Sequence, residues 1–393
     1  MPEPLVPIAR PWIGEAEAEA VRRAILSGWV TQGPEVAAFE EEFAAAVGAS
    51  YACAVSSCTT ALHLALRAVG VGPGDEVVTV SHSYVATANA VRYCGAVPLF
   101  VDVEPGGCNI DPSLVEESLG PRVRAILCVH QMGMPCDLAA LLAIAERHGL
   151  PLVEDAACAL GSEIDLGGGR ERVGRPHGDV ACFSFHPRKI LTTGDGGMLT
   201  THREDLDRRF RLERHHGVSV TDTARHTSPL VLQGEHVTLG FNYRLTDVQA
   251  AMGRVQLGRL DAIVERRREL AARYLRLLAE LDIELPHEPS WARSNWQSFA
   301  VRLPEALDRT TVMQTLLDRG IATRPGVLCA HREPAYAAEP WRAGPGGLTE
   351  SERAQDHTVL LPLFHELTEA QQDRVVTALG EALAVAQGLG AHG

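Results

Sequence analysis

The sequence predicts an α/β protein, with a large domain built on a mostly parallel, doubly wound sheet and a smaller C-terminal α+β domain. From about residue 50 onward, short β-branched runs alternate with helical patterns. Repeated strand, helix, strand units of that length imply parallel pairing. A chain of 393 residues that is 46% hydrophobic supplies one large core and material for a second. In such a sheet the functional site lies at the carboxyl ends of the strands.

Taken in order, residues 59–69 read as a helix with hydroxyl side chains at its start and Gly70 just past its end. Residues 76–80 read as a strand, 82–94 as a helix, and 97–103 and 123–129 as extended. A helix over 137–148 stops at Gly149, and 151–154 and 180–185 supply two further strands. Residues 254–281 are long, charged and periodic, so they are expected to bridge out of a large domain (1–258) into a small one (259–393). Within the latter, 296–303 alternates like a strand, 311–319 reads as a helix, and 371–387 as a closing amphipathic helix. Between 217 and 237 the periodicity is lost in a polar run longer than an ordinary connection, as in a functional or mobile loop.

Composition excludes several functions. A formal net charge of -14 opposes phosphate backbones and anionic membranes, so no nucleic-acid partner is expected. The first residues, Met-Pro-Glu-Pro-Leu-Val-Pro, lack a basic segment followed by an apolar stretch, and no apolar run approaches the roughly 20 residues of a membrane span. Nine scattered cysteines without a CxxC pair read as reduced thiols, and the expected compartment is the cytoplasm. Sixteen histidines invite a metal, but the adjacent His215-His216 point apart on regular structure and lack nearby carboxylates at ligand spacing, so no metal is expected.

Three places can carry chemistry. The segment Ser56-Ser-Cys-Thr-Thr-Ala61 puts small hydroxyl residues where a helix begins, which suits a phosphate or simply caps the helix. Gly70-Val-Gly-Pro-Gly74 precedes a strand and meets neither nucleotide-binding fingerprint. Asp155 directly follows an apolar strand at the functional end of the sheet, where a buried carboxylate needs a cation such as a pyridinium nitrogen, or where it caps a helix. Lys189 lies in Ser184-Phe-His-Pro-Arg-Lys-Ile-Leu-Thr-Thr-Gly-Asp-Gly-Gly197, with aromatic and apolar residues before it and a Gly-rich turn after it. A desolvated lysine of lowered pKa suits imine chemistry.

These segments, with Phe39–Phe43, Gly72–Glu76, Ser83-Tyr-Val-Ala-Thr87, Glu154-Asp-Ala-Ala157 and Gly240-Phe-Asn-Tyr-Arg-Leu245, resemble the DegT/DnrJ/EryC1/StrS family of sugar aminotransferases over nearly the whole chain. The resemblance implies an aspartate-aminotransferase-like, fold-type-I enzyme that carries pyridoxal 5'-phosphate (PLP) on Lys189 as a Schiff base. It implies that Asp155 pairs with the pyridinium nitrogen and that Tyr84 stacks on the ring. Thr59, Thr60 and Ser184 would bind the phosphate, and Asn242 would reach it from the partner subunit of a homodimer. Arg244 and His331 would face substrate, although His331 is equally readable as a surface residue. Two departures stand out. Cys158 replaces the Gln or His that the family places near the phenolic oxygen, and Cys58 replaces a glycine of the phosphate turn, where its side chain threatens close backbone approach.

The implied reaction moves an amino group from L-glutamate or L-glutamine to a keto sugar linked to a nucleoside diphosphate. A different cyclic ketone such as scyllo-inosose, or a non-catalytic regulatory protein of the same fold, remains open at this stage. A related PLP-dependent dehydratase would carry histidine in place of Lys189.

Overall fold

The computed structural model describes residues 4–390. The strands in chain order are β1 (Tyr51–Val55), β2 (Glu76–Val80), β3 (Val97–Val101), β4 (Val123–Val129), β5 (Leu152–Asp155), β6 (Val180–Ser184), β7 (Gly197–Thr201), β8 (Phe299–Arg302), β9 (Arg324–Pro325), β10 (Arg342–Ala343) and β11 (Thr358–Leu361). The large sheet has the order β1-β7-β6-β5-β4-β2-β3-β10, and β8, β11 and β9 form a second sheet. A small ribbon joins Glu163–Asp165 to Arg170–Arg172 and Ala292–Arg293. Among the described strands of the large sheet, β7 alone runs antiparallel to its neighbours, and the other pairings are parallel. This is the mostly parallel α/β architecture the alternation predicts.

Both faces of the sheet are covered, which is why its strands are rich in apolar residues on both faces. Along β4, Ala125 and Leu127 pack with helix Cys58–Ala68 and helix Glu204–Glu213, while Ile126 and Cys128 pack with helix Leu138–His148 on the other face. Helix Pro34–Val47 inserts Phe39 and Phe43 against Phe183 and Phe185, with ring centroids between 5.1 and 5.7 Å apart. A separate apolar cluster gathers Val6 with residues from Leu270 to Ala386, including Phe299, Val359 and Leu379. Val6 bridges Ile321, so the chain's first described segment lies in this C-terminal core.

The structure departs from the periodicity at two places that matter. The predicted helix over 82–94 begins only at Ala86, because His82 bridges Cys329 and residues 83–85 turn across the end of β2. The long helix over 254–281 is two helices, Asp247–Leu257 and Leu260–Leu277, separated at Gly258 and Arg259. Glycine is a poor helix interior residue. The break is then held by the N-terminal segment, where Arg259 lies 2.8 Å from Glu17 and its guanidinium sits 4.7 Å from the Trp12 ring. In the irregular 217–237 stretch the structure adds the short helix Asp222–Thr227 and a bridge between Val218 and His236.

The antiparallel register of β7 sets Gly197 opposite both Val55 and Ser184, so its first residue faces the carboxyl ends of two parallel strands. A Cβ on Gly197 would stand 2.5 Å from the Ser57 carbonyl carbon and 2.7 Å from the Cys58 nitrogen. Backbone cannot yield there as a flexible side chain would. Gly197→Ala should therefore cost about 1–3 kcal/mol of stability. Thermal unfolding checks this; a variant with unchanged melting temperature would show that the close approach is unimportant.

Candidate active site

The site is assembled where β1, β2, β5 and β6 end and β7 begins. Asp155 is the last residue of β5 and is buried. Its Oδ2 accepts from the Thr87 hydroxyl at 2.8 Å and its Oδ1 from the Ala157 amide at 3.1 Å. Ser83 meets the same Thr87 hydroxyl at 2.7 Å, so the turn after β2 is fastened to the carboxylate. Burial raises the Asp155 pKa above the ordinary aspartate value, against the opposing effects of Thr87, Ala157, Lys189 and His130. No Arg, Lys or His side chain among the described residues forms an ion pair with it. A cationic nitrogen arriving from outside the chain would supply that charge.

Behind Asp155, the wholly buried His130 ring holds Glu154 at 3.1 Å through Nε2 and accepts the Cys136 amide at 3.0 Å through Nδ1. Burial pushes Glu154 up, but its imidazole partner prevails and holds the carboxyl below the usual range. The acidic residue next in sequence to Asp155 is thus satisfied by His130 and by the His177 and Gly178 amides at 3.1 and 2.9 Å, whereas Asp155 has no histidine against it among the described residues.

Lys189 follows β6 on a loop whose shape is fixed by the backbone: its amide donates to His186 O at 2.8 Å, and Thr193 N and the Thr192 hydroxyl both donate to Phe185 O. Its Nζ lies 3.0 Å from Cys158 Sγ. The expected depressed lysine pKa is not what the structure gives. Burial does act to lower it, but Cys158, with Cys58 and Asp155, outweighs burial and holds Lys189 above the ordinary value. The Cys158 thiol is therefore in direct contact with the lysine amine.

Two residues that the sequence did not single out pin this pair in place. Asn295 Nδ2 donates to Cys158 O at 2.8 Å and to Leu160 O at 2.9 Å. Gln297 Nε2 donates to Arg188 O at 2.6 Å. Between them Trp296 takes a left-handed backbone conformation, φ 52°, which is uncommon for a bulky residue. Nothing in the local pattern marks these amides; Thr87, by contrast, lies inside a segment the resemblance had already matched.

At the end of β1, Ser57 caps helix Cys58–Ala68 by accepting from Thr60 N at 3.2 Å. The Thr60 hydroxyl donates to Ser57 O at 2.8 Å, so it belongs to the cap, while Thr59 is half-buried beside it. The Cys58 thiol turns inward toward Cys182 O at 3.7 Å, which leaves the helix start clear of the obstruction its side chain threatened. Ser184 closes β6, half-buried and opposite Gly197. Tyr84 is 71% exposed on the turn after β2.

The remaining predicted residues lie further out. Residues 241–245 run beside the end of β1, with Ser56 N bonded to Tyr243 O at 2.8 Å and Arg244 bridging Val55; Asn242 is exposed. His331 is held by its own neighbours, Nδ1 at 2.7 Å from Ser81 Oγ and Nε2 at 3.0 Å from Glu352. Both ring nitrogens are thus engaged, so the structure gives His331 an anchoring place at the end of β2. No group of three or more His, Cys, Asp or Glu side chains among the described residues is arranged to hold a metal ion.

These groups fit PLP: a primary amine, a buried carboxylate short of a cation, an exposed aromatic ring, and a helix start with free hydroxyl and amide donors. Removing the Cys158 thiol removes the leading interaction that raises the lysine pKa. In Cys158→Ala, Lys189 should hold its proton less tightly, so apo-protein should take up PLP faster at mildly alkaline pH. Stopped-flow absorbance checks the sign, and an uptake rate no faster than that of the parent would mean the thiol does not control the amine.

The model of the DegT/DnrJ/EryC1/StrS aminotransferase family matches residues 11–380. Among solved structures, the aminotransferase TlmJ from Streptoalloteichus hindustanus is 36% identical, with 98% of this chain and 100% of that chain covered and a TM-score of 0.87. DesV of S. venezuelae, solved in complex with a ketimine intermediate, is 37% identical over 96% of this chain and 98% of its own, with a TM-score of 0.85. The PLP form of Spr1654 from Streptococcus pneumoniae is 25% identical, covers 97% and 99%, and gives a TM-score of 0.89. The chain therefore belongs to the DegT/DnrJ/EryC1/StrS family and is a PLP-dependent aminotransferase of fold type I.

Proposed function

We propose that this enzyme transfers an amino group from L-glutamate or L-glutamine to a keto sugar linked to a nucleoside diphosphate, in amino-sugar biosynthesis. The observation that carries the reading is the presence of Lys189 beside the same strand ends as the cation-deficient, buried Asp155. Spr1654, 25% identical, is described as a candidate sugar aminotransferase, and that description supports the sugar acceptor.

PLP, when bound, supplies the electron sink that makes the donor's α-proton acidic. Asp155 would hold the proton on the ring nitrogen, and Thr87 would keep that carboxylate in place and ionised. The helix start at Ser57 to Thr60, with Ser184, would hold the phosphate, and Tyr84 would cover the ring. Lys189 Nζ would take the donor's α-proton and later deliver a proton to the acceptor's carbon that receives the amine. Cys158 stands at hydrogen-bond distance from that nitrogen and so would set its direction. Arg244 and His331 we assign to the substrate side, His331 through its hold on the turn carrying Tyr84.

We further propose a large domain over 1–258 and a small one over 259–393, a cytoplasmic location, and a homodimer whose Asn242 reaches the partner's phosphate site. All nine cysteines are unpaired thiols, which supports the compartment, and no described helix is long and apolar enough to cross a membrane. Leu230, Val231 and Leu239 are 73%, 92% and 84% exposed on the loop that leads to Asn242, as a surface awaiting a second copy would be. Sedimentation velocity should give twice the 42.3 kDa chain mass, and a monomer with full activity would sink the shared site.

The enzyme, loaded with PLP and given one donor without any acceptor, should lose the visible absorbance of its lysine-bound cofactor with either glutamate or glutamine. Lys189→Ala should lose both that absorbance and turnover. Retention of either would refute the assignment of the lysine, and a wild-type spectrum indifferent to both amino acids would remove the proposed donors.

A further inference from the structure

Away from Lys189, a cavity of about 260 Å³ opens between the loops that follow β3 and β4 and the segment that leads into β8. Neither Lys189, Asp155, Tyr84, Cys158 nor Thr59 lines it. Its apolar wall comes from Trp291, Trp296, Pro286 and Pro289, and its titratable lining is Arg302 with Glu104, Glu284 and His287. Its size lies just below the range of about 300–1,000 Å³ common for small-molecule pockets.

Arg302 is only 6% exposed. Its Nη2 donates to Gly107 O at 2.9 Å, but Nη1 makes no hydrogen bond among the described residues and lies 3.6 Å from Glu284. Glu284 is itself shared with Arg353 at 3.3 Å. A buried guanidinium with an unused donor is costly unless an anion completes it, and its planar fork matches a carboxylate best. Glu104 lies by the same glycine, its Oε2 3.4 Å from where a Cβ on Gly107 would stand. Burial, with Cys136, Asp111 and Asp137 nearby, pushes the Glu104 carboxyl up to about 7, so it can meet an incoming oxygen as a proton donor instead of repelling it. Indole and proline faces accept a flat apolar body.

We propose that this cavity is a second ligand site, which takes a small carboxylic acid with a planar apolar body, its carboxylate on Arg302 and its body against Trp291 and Trp296. The site is placed to be heard by the catalytic lysine. Trp296 stands between Asn295 and Gln297, whose side chains hold the Cys158 and Arg188 carbonyls, so a ligand seated on this indole bears on the peptide that positions the lysine loop.

Calorimetric titration of the PLP-loaded enzyme with 3-phenylpropionate tests the site. This probe has no amine and cannot exchange with Lys189. Saturable binding at one site per chain is expected, with dissociation constants raised about tenfold or more in Arg302→Leu and, separately, in Trp291→Ala. Since a buried arginine variant can fail to fold, the half-buried Trp291 variant carries the test alone if needed. Absence of saturable heat up to about 10 mM probe, or equal affinity in the parent and the Trp291 variant, overturns the proposal.

Discussion

A carboxylate that the protein buries but does not neutralise is the constraint around which this structure is arranged. Asp155 and Glu154 are adjacent in sequence and both lie within the sheet, yet their side chains point to opposite faces and meet opposite fates. Glu154 receives an imidazole, whereas Asp155 receives a threonine hydroxyl and one amide. Hydrogen bonds alone do not offset the desolvation of a full charge. The apo-protein therefore carries an electrostatic debt at one point, and binding of a pyridinium removes it. Affinity for the cofactor and the tuning of its ring nitrogen come from the same buried group.

Around that point each strand end contributes a different kind of atom. β1 ends in hydroxyls and a helix start, β2 in the turn that carries Tyr84, β5 in the carboxylate and β6 in the loop of the lysine. The division of labour follows from parallel pairing, which puts every carboxyl end on one edge and leaves the connecting segments free to specialise. The amides of Asn295 and Gln297 are the exception, since they approach from the segment before β8 and clamp the loops of Cys158 and Lys189 from outside the sheet. The placement of the lysine thus depends on both halves of the chain.

The parts of this arrangement that were legible in sequence are those written in local pattern. Continuous apolar runs marked β4, β5 and β6, capping residues and glycines marked the helices over 58–68 and 138–148, and Asp155 and Lys189 were conspicuous at strand ends. What escaped was set by tertiary contact. The helix after β2 starts late because His82 is held by Cys329, some 250 residues away by chain numbering. β7 is short, and its role depends on Gly197 packing against Ser57 and Cys58, which no periodicity reveals. The lysine pKa was misjudged for the same reason: burial could be read from neighbouring apolar residues, but the opposing Cys158 arrives from a distant loop.

The single reversed strand has a consequence for the birth of the molecule. Among the described strands of the finished sheet, β1 pairs with β7 and no other, and β7 separates it from β6. A ribosome must therefore extend the chain through Thr201 before the edge formed by Tyr51–Val55 finds its partner. During that interval β1 is an apolar strand with unpaired amides, the kind of segment that associates wrongly when chains are crowded. Contacts of such long sequence separation are slow to form. Closure of this edge of the sheet therefore waits until β7 has been made.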